Sequence, residues 1–191
     1  MALAAALGHG APAIAIVTSA SLVCLGHVVG DAIGSRIQHP GHLLPACVVG
    51  GCADLISVAH PAGPTHAIVS SERALALAAI SFPVPGTRSF APALGIGDLL
   101  FVALIFAAAR IHKLPRRRVF ALCAGGIAVA GVMSALLMKP VPALPTIAAA
   151  VLLGVPRARI LARSDRSTAL AAMAIAVGLV AWLAVQHIFG R

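Results

Sequence analysis

Charged residues are scarce in this chain, and acids are the scarcest of them. Only 10% of the 191 residues are charged, with 5 Asp and Glu against 14 Lys and Arg. Soluble domains carry about 25% charged residues. Together with a mean hydropathy of +1.02, this shortage excludes an ordinary soluble domain and indicates a membrane protein.

Aromatic residues and cysteines are also few. The chain has no Tyr and one Trp, so its net charge of +9 lacks the aromatic partners on which nucleic-acid bases stack. The four Cys lie in apolar segments without a CxxC pair, which supports neither a disulfide framework nor a zinc site. No Lys or Arg precedes the first apolar run, which argues against a cleaved secretory signal. We expect no metal, no cofactor and no nucleic-acid partner.

What the chain does have is a series of apolar segments that predict membrane-spanning helices. Six spans are predicted, over residues 11–29, 42–59, 91–109, 119–138, 141–156 and 168–189. The fifth is short, because about 20 residues is the norm for a span. Residues 60–90 are predicted to form an extramembrane or re-entrant loop, with a capped helix that begins near Ser70 and Ser71. The predicted fold is an all-α, polytopic transmembrane helix bundle, a single membrane domain over residues 1–191.

The basic residues predict the orientation of this bundle. Of the 14 Lys and Arg, 10 fall in the loops 30–41, 110–118 and 157–167. Because cytoplasmic loops carry the excess of Lys and Arg, we expect these loops in the cytoplasm and both termini outside. We expect an integral, multi-pass protein in the plasma (inner) membrane of a prokaryote, with the lipid bilayer as a partner.

Two of the five acids lie inside predicted spans. A charge at the bilayer centre costs roughly 2.5–3.5 kcal/mol, so such a residue is a functional-site hypothesis; the alternative is a neutral Asp that hydrogen-bonds a neighbouring helix. Asp54 and Asp98 lie at similar depth, because the loop 60–90 joins the span ends that carry them. Each has a glycine three residues earlier, Gly51 and Gly95, which leaves room for the carboxylate and a close partner helix. Such a pair shares a proton and can act as acid and base.

A proline-rich segment on the same face points to the same place. Three prolines, at positions 140, 142 and 145, begin the fifth span. Proline removes backbone donors, and irregular backbone at membrane depth is tolerated only where it is buried in protein or lines a watery cavity. The segment is therefore either a simple loop or part of a site that includes both Asp residues.

These motifs resemble a known family of membrane proteases. Gly95-Ile96-Gly97-Asp98 matches a GxGD motif, Pro142-Ala143-Leu144 matches a PAL motif, and Asp54 stands in the segment ADLISV. In this order they are similar to intramembrane aspartyl proteases of the presenilin and signal peptide peptidase type, with a presenilin-like catalytic core over residues 42–156.

The resemblance implies a function and a set of site residues. Asp54 and Asp98 would be the catalytic pair, and Gly95, Gly97, Pro142, Ala143 and Leu144 would shape the active site. The substrates would be transmembrane segments of membrane proteins or signal peptides, and the family needs no metal.

The chain also departs from the family pattern. Ala53 stands where the family usually has Tyr, about one span precedes Asp54 instead of several, and an extra span, 168–189, follows the PAL helix. These differences leave open a minimal core, a fragment, or half of a homo-oligomer.

Two other functions fit the same Asp pair. Prepilin peptidases also carry a membrane GxGD, but they typically have Lys two residues later, where this chain has Leu100, and they lack PAL. A proton-coupled carrier would use Asp54 and Asp98 as a proton relay.

Overall fold

The structure is a computed structural model that describes residues 11–60, 63, 68, 71–83, 90–139 and 141–189. Over these residues the chain is mostly helical, as predicted. The helices in chain order are α1 (Ala11–Gly34), α2 (Leu43–Ala59), α3 (Glu72–Ala78), α4 (Ile96–Ile111), α5 (Arg116–Leu137), α6 (Ala143–Gly154) and α7 (Arg166–Phe189). Each of the six predicted spans overlaps one of these helices, and α3 falls in the predicted loop 60–90.

The segment between α2 and α4 differs most from the prediction. The Ser71 hydroxyl caps α3 by accepting from the Ala74 amide (3.4 Å), but the helix ends at Ala78. Strand β1 (Ala79–Pro83) follows and pairs antiparallel with β2 (Phe90–Gly95). The all-α prediction therefore lacked a two-stranded sheet, and the predicted span 91–109 is wrong over 91–95, which are strand. Pro92 has no amide donor and would interrupt a helix there.

Helices α1 and α4 pack with their backbones in close contact. A Cβ placed on Gly30 would lie 2.3 Å from the Leu100 carbonyl oxygen, and one on Gly34 would lie 2.4 Å from the Leu104 carbonyl oxygen. Small residues at a transmembrane interface allow this approach. The glycines of α1 thus fix the position of the helix that carries the GxGD motif.

The second half of the bundle is built around α6. This helix packs against both α2 and α5, and α7 packs against α2. The core contains side chains from each of the central helices, among them Leu43, Ile105, Val119, Ile147 and Val151. Cys47 and Cys123 are buried there as free thiols.

Four segments are long and apolar enough to cross a membrane: Ile16–Gly34, Pro40–Val58, Arg116–Leu137 and Arg163–Gln186. Their outward faces carry exposed large apolar side chains such as Val17, Leu136 and Ile175, which is the pattern of a lipid-facing surface. Helices α4 and α6 are shorter, with 16 and 12 residues. These two short helices begin at the GxGD and PAL motifs.

The three basic loops meet at one end of the bundle, which we call the basic end. Arg110, at the end of α4, donates to both carboxylate oxygens of Asp31 in α1 (2.9 and 3.0 Å). The His112 ring donates to the Ile37 carbonyl oxygen (2.8 Å). The His42 ring pairs with Asp165 (2.8 Å). The hairpin and the starts of α4 and α6 lie at the other end, which we call the cavity end.

Candidate active site

An open cavity of about 1200 Å³ occupies the cavity end. Helices α2, α4, α5 and α6 contribute to its wall, together with α3 and the sheet. Every residue that the sequence singled out for the site lines it: Asp54, Gly95, Gly97, Asp98, Pro142, Ala143 and Leu144. The structure therefore brings together the isolated Asp, the GxGD motif and the PAL motif, which are far apart in the chain.

Asp98 lies in the first turn of α4. Its carboxylate oxygen Oδ2 accepts a hydrogen bond from the Gly95 amide (3.2 Å). Gly95 precedes the helix with extended backbone, so it is not the helical glycine that the sequence predicted. The first amides of a helix have no partner within it, and an acid near this end is also stabilised by the helix dipole. The helix start therefore supports Asp98 directly.

Asp54 lies within α2 and reaches the start of a different helix. Its Oδ2 accepts from the Leu144 amide (3.2 Å), 90 residues away in the chain. Leu144 is in the first turn of α6, where Pro142 precedes the helix and supplies no side-chain cap. Asp54 thus satisfies a free amide of the PAL segment. The sequence placed the two motifs on one face but could not show this bond.

The glycines near the two acids differ in what they allow. A Cβ on Gly51 would lie 3.5 Å from Pro145 Cα, and one on Gly95 would lie 3.5 Å from Asp98 Oδ2. Both distances are ordinary van der Waals contacts, so Gly51 faces α6 and Gly95 faces the Asp98 carboxylate, but a Cβ would fit at either position and neither contact requires a glycine. Nothing lies within 4 Å of a Cβ placed on Gly97, whose open side is part of the cavity wall.

Thr146 is a site-supporting residue that the sequence analysis did not select. Its hydroxyl lies 2.8 Å from two carbonyl oxygens, those of Ala143 in its own helix and Gly126 in α5. Beside it, a Cβ on Gly126 would lie 2.7 Å from Ile147 Cα. The start of α6 is therefore fixed against α5 by a hydroxyl bond and a glycine contact. The only sign of this role in the sequence is a Thr two residues after PAL, and a single Thr does not predict a contact with another helix.

The electrostatics of the cavity follow from its lining. Both carboxylates are half-buried, and the charge of Asp54 acts on Asp98. Among the described residues that line the cavity there is no Lys, Arg or His. Two carboxylates in an apolar cavity without a cation cannot easily ionise together, so they favour a state with one proton for the pair. Such a pair can donate a proton and accept one at the same time.

Two histidines, His39 and His42, make contacts within the protein. His39 Nδ1 accepts from the Gly41 amide (3.1 Å), and His42 pairs with Asp165. Both lie at the basic end, remote from the two acids of the cavity. Within the described ranges, no three His, Cys, Asp or Glu residues are grouped as metal ligands would be.

Comparison of the chain with protein-family models, with curated proteins and with solved structures gives no match.

Proposed function

We propose that the protein is an intramembrane aspartyl endopeptidase with Asp54 and Asp98 as its catalytic pair. The observation that carries this proposal is the shared cavity: both acids and the PAL segment line it, and each acid accepts from a backbone amide at the start of a short helix. This arrangement fits the family that the GxGD and PAL motifs resemble.

The lengths of the helices support a site inside the membrane. Asp98 lies 12 residues before Arg110, which is roughly 18 Å along a helix. The hydrocarbon core of a bilayer is about 30 Å thick. With Arg110 at one interface, Asp98 therefore lies within the core. Water that reaches this depth needs a cavity lined by protein, and the cavity end supplies one.

In the proposed reaction, the two acids share one proton before the peptide bond is attacked. The ionised carboxylate takes a proton from water, and the water oxygen bonds to the carbonyl carbon of the substrate. The protonated acid gives its proton to the carbonyl oxygen. The resulting tetrahedral diol collapses: one of its hydroxyls returns its proton to the second acid as the carbonyl re-forms, the C–N bond breaks, and the nitrogen leaves with the proton of the first acid. The pair then again holds one proton.

The substrate class follows from the surroundings of the acids. Gly97 leaves one side of Asp98 open, and the rest of the wall is mostly apolar, with Ile68, Leu75 and Ile127 among its residues. An apolar segment fits such a wall, and its backbone must leave the helical form to present a peptide bond. We propose transmembrane segments or signal peptides as substrates, with Pro142, Ala143 and Leu144 shaping their binding.

The proposed orientation places the basic end in the cytoplasm of a prokaryote and the cavity toward the outer leaflet of its plasma membrane. The charge bias of the loops supports this orientation.

The test is cleavage of a reporter transmembrane peptide by the purified full chain in detergent. We expect cleavage by the parent and by Asp31→Asn, whose carboxylate lies at the basic end, and a rate at least about a hundredfold lower for Asp98→Asn. Asn keeps an oxygen that can accept from the Gly95 amide, so the helix start is preserved. Full activity of Asp98→Asn would overturn the assignment.

A parallel measurement separates the protease from a carrier. The same protein is placed in vesicles and proton flux is followed with an internal pH dye. Proton flux that depends on Asp98, without any peptide cleavage, would replace the protease proposal with a proton-coupled carrier. Cleavage restricted to the leader peptide of a pilin precursor would instead favour a prepilin-peptidase-like enzyme.

A further inference from the structure

Arginines are concentrated at the basic end, and among the described residues most of them form no ion pair. Helix α5 begins with three of them, and the short 3₁₀ helix Pro156–Arg159 that follows α6 carries two more. We call this group the arginine patch; it comprises Arg116, Arg117, Arg118, Arg157 and Arg159. All five side chains are exposed.

The fold brings the two parts of the arginine patch together. Helices α5 and α6 run antiparallel, so the end of α6 meets the start of α5. A Cβ on Gly154 would lie 2.3 Å from the Leu122 side chain. Val119, which follows the first three arginines, shares a core cluster with Val155 and Ala158, which adjoin the other two. The five arginines therefore lie at the same end of this helix pair, with Arg116, Arg117 and Arg118 spread around the start of α5.

Among the described residues, no carboxylate forms an ion pair with the arginine patch. Within the part of the chain that the structure describes, the ion pairs are Arg110 with Asp31 and His42 with Asp165. Both acids of the basic end are thus already paired, and neither pairs with the arginine patch. A planar guanidinium matches a phosphate with two parallel hydrogen bonds. The arginine patch therefore offers hydrogen-bond donors and positive charge to an anion such as phosphate.

Exposed apolar side chains adjoin the arginine patch. Phe120, one turn beyond Arg116 in α5, is 63% exposed, and Leu153, one turn before Arg157, is 73% exposed. A soluble anion or a nucleic acid would leave these side chains uncovered. A phospholipid covers both surfaces, because its phosphate reaches the arginines while its acyl chains lie along Phe120 and Leu153.

We infer that the arginine patch is a binding site for the headgroup of anionic phospholipids. The inference goes beyond the proposed protease function and does not depend on it. It requires only that α5, one of the helices long enough to cross a membrane, does so. Basic clusters at the end of transmembrane helices attract anionic lipid in this way.

The test measures binding of phosphatidylglycerol with a fluorescent acyl chain to the full chain in neutral detergent. The patch variant is R116Q/R118Q/R157Q. The matched control is R36Q/R163Q/R166Q, which removes the same charge from exposed arginines of the same end. We expect the patch variant to bind roughly a hundredfold more weakly, about fivefold for each arginine removed, and the control to change far less. The variant R116K/R118K/R157K keeps the charge and should fall between them.

Competition identifies the ligand. Unlabelled phosphatidylglycerol should displace the probe, whereas phosphatidylcholine and soluble glycerophosphate should not displace it at the same concentration. Phe120→Ser should weaken binding without a change of charge.

Equal losses in the patch and control variants would show general charge attraction and overturn the site. Displacement by glycerophosphate equal to that by the lipid would show a free-phosphate site and also overturn it. Far-UV circular dichroism of each variant verifies its helical content.

Discussion

The carboxylates at the two ends of the bundle have different kinds of partner. At the basic end, Asp31 is held by Arg110 and Asp165 by His42, so each carboxylate has a side-chain partner that can carry positive charge. At the cavity end, Asp54 and Asp98 accept from backbone amides at the starts of α6 and α4. A cation partner keeps an acid ionised, whereas an amide donor in an apolar cavity supports the carboxylate and leaves the proton of the pair free to move. The location of an acid in the fold, more than its residue type, decides whether its partner is a charged side chain or a backbone amide.

The largest expected effect tests whether the cavity acids act as one unit. Asp54→Asn and Asp98→Asn should each reduce kcat for the reporter peptide by about 10²–10⁴-fold, the range for a lost acid or base. The double variant should lose no more than the worse single variant, because residues that act together are not additive. Losses that multiply in the double variant would mean that the two acids act independently. Steady-state cleavage assays give all three values.

The second prediction concerns the packing that supports the cavity end. Gly126→Ala should lower the free energy of unfolding by about 1–3 kcal/mol, the usual cost of overpacking, because its Cβ would lie 2.7 Å from Ile147 Cα. The matched control is the neighbouring Gly125→Ala, where a Cβ meets nothing within 4 Å. Unfolding titrations in mixed detergent micelles measure both variants. Equal destabilisation by both would contradict the described contact between α5 and α6.

The third prediction tests Thr146. Thr146→Val keeps the shape and removes the hydroxyl, so it should cost about 1 kcal/mol of unfolding free energy. It should also raise KM more than it lowers kcat, because it loosens the PAL segment that shapes substrate binding and leaves both acids in place. Thr146→Ser restores the hydroxyl and should recover both values. A Ser variant as impaired as the Val variant would show that the methyl group, and not the hydroxyl, is what matters.

The smallest effect is expected at the basic end. Arg110 and Asp31 are partly exposed, at 52% and 32% of their side-chain surface, and exposed ion pairs contribute about 0–1 kcal/mol. Arg110→Gln should therefore change stability only slightly, and added salt should shrink the difference further. Cleavage of the reporter peptide should be unchanged. A large loss of cleavage would show that the basic end also affects catalysis at the cavity end, contrary to this prediction.

The sequence predicts the helices well because apolar length is a local property. Each of the six predicted spans overlaps a helix, with ends that differ by a few residues, and the capped start at Ser71 is observed. The sheet was missed because β1 pairs with β2 across residues 84–89, and no local pattern reports such a pairing. Residues 91–95 are as apolar as the helix that follows them, so the apolar run predicted a helix that begins too early.

The residues of the candidate site could be predicted from the sequence, but the hydrogen bonds that they form could not. Asp54, Asp98 and the PAL segment stand out because acids and prolines are rare in apolar runs, and the structure places them around one cavity. The bond from the Leu144 amide to Asp54 depends on how α2 and α6 pack. Thr146 depends on the contact between α5 and α6. The bond to Asp54 and the contacts of Thr146 both follow from tertiary packing, which residue type and spacing do not specify.

The most direct test of the account is covalent labelling by an aspartyl protease inhibitor that mimics the tetrahedral diol and carries a photoreactive group. The detergent-purified full chain is compared with Asp98→Asn at equal helical content by circular dichroism. The account predicts that the parent is labelled, that excess unlabelled inhibitor suppresses the label, and that Asp98→Asn is labelled far less. Equal labelling of the two proteins would contradict an active site at Asp54 and Asp98.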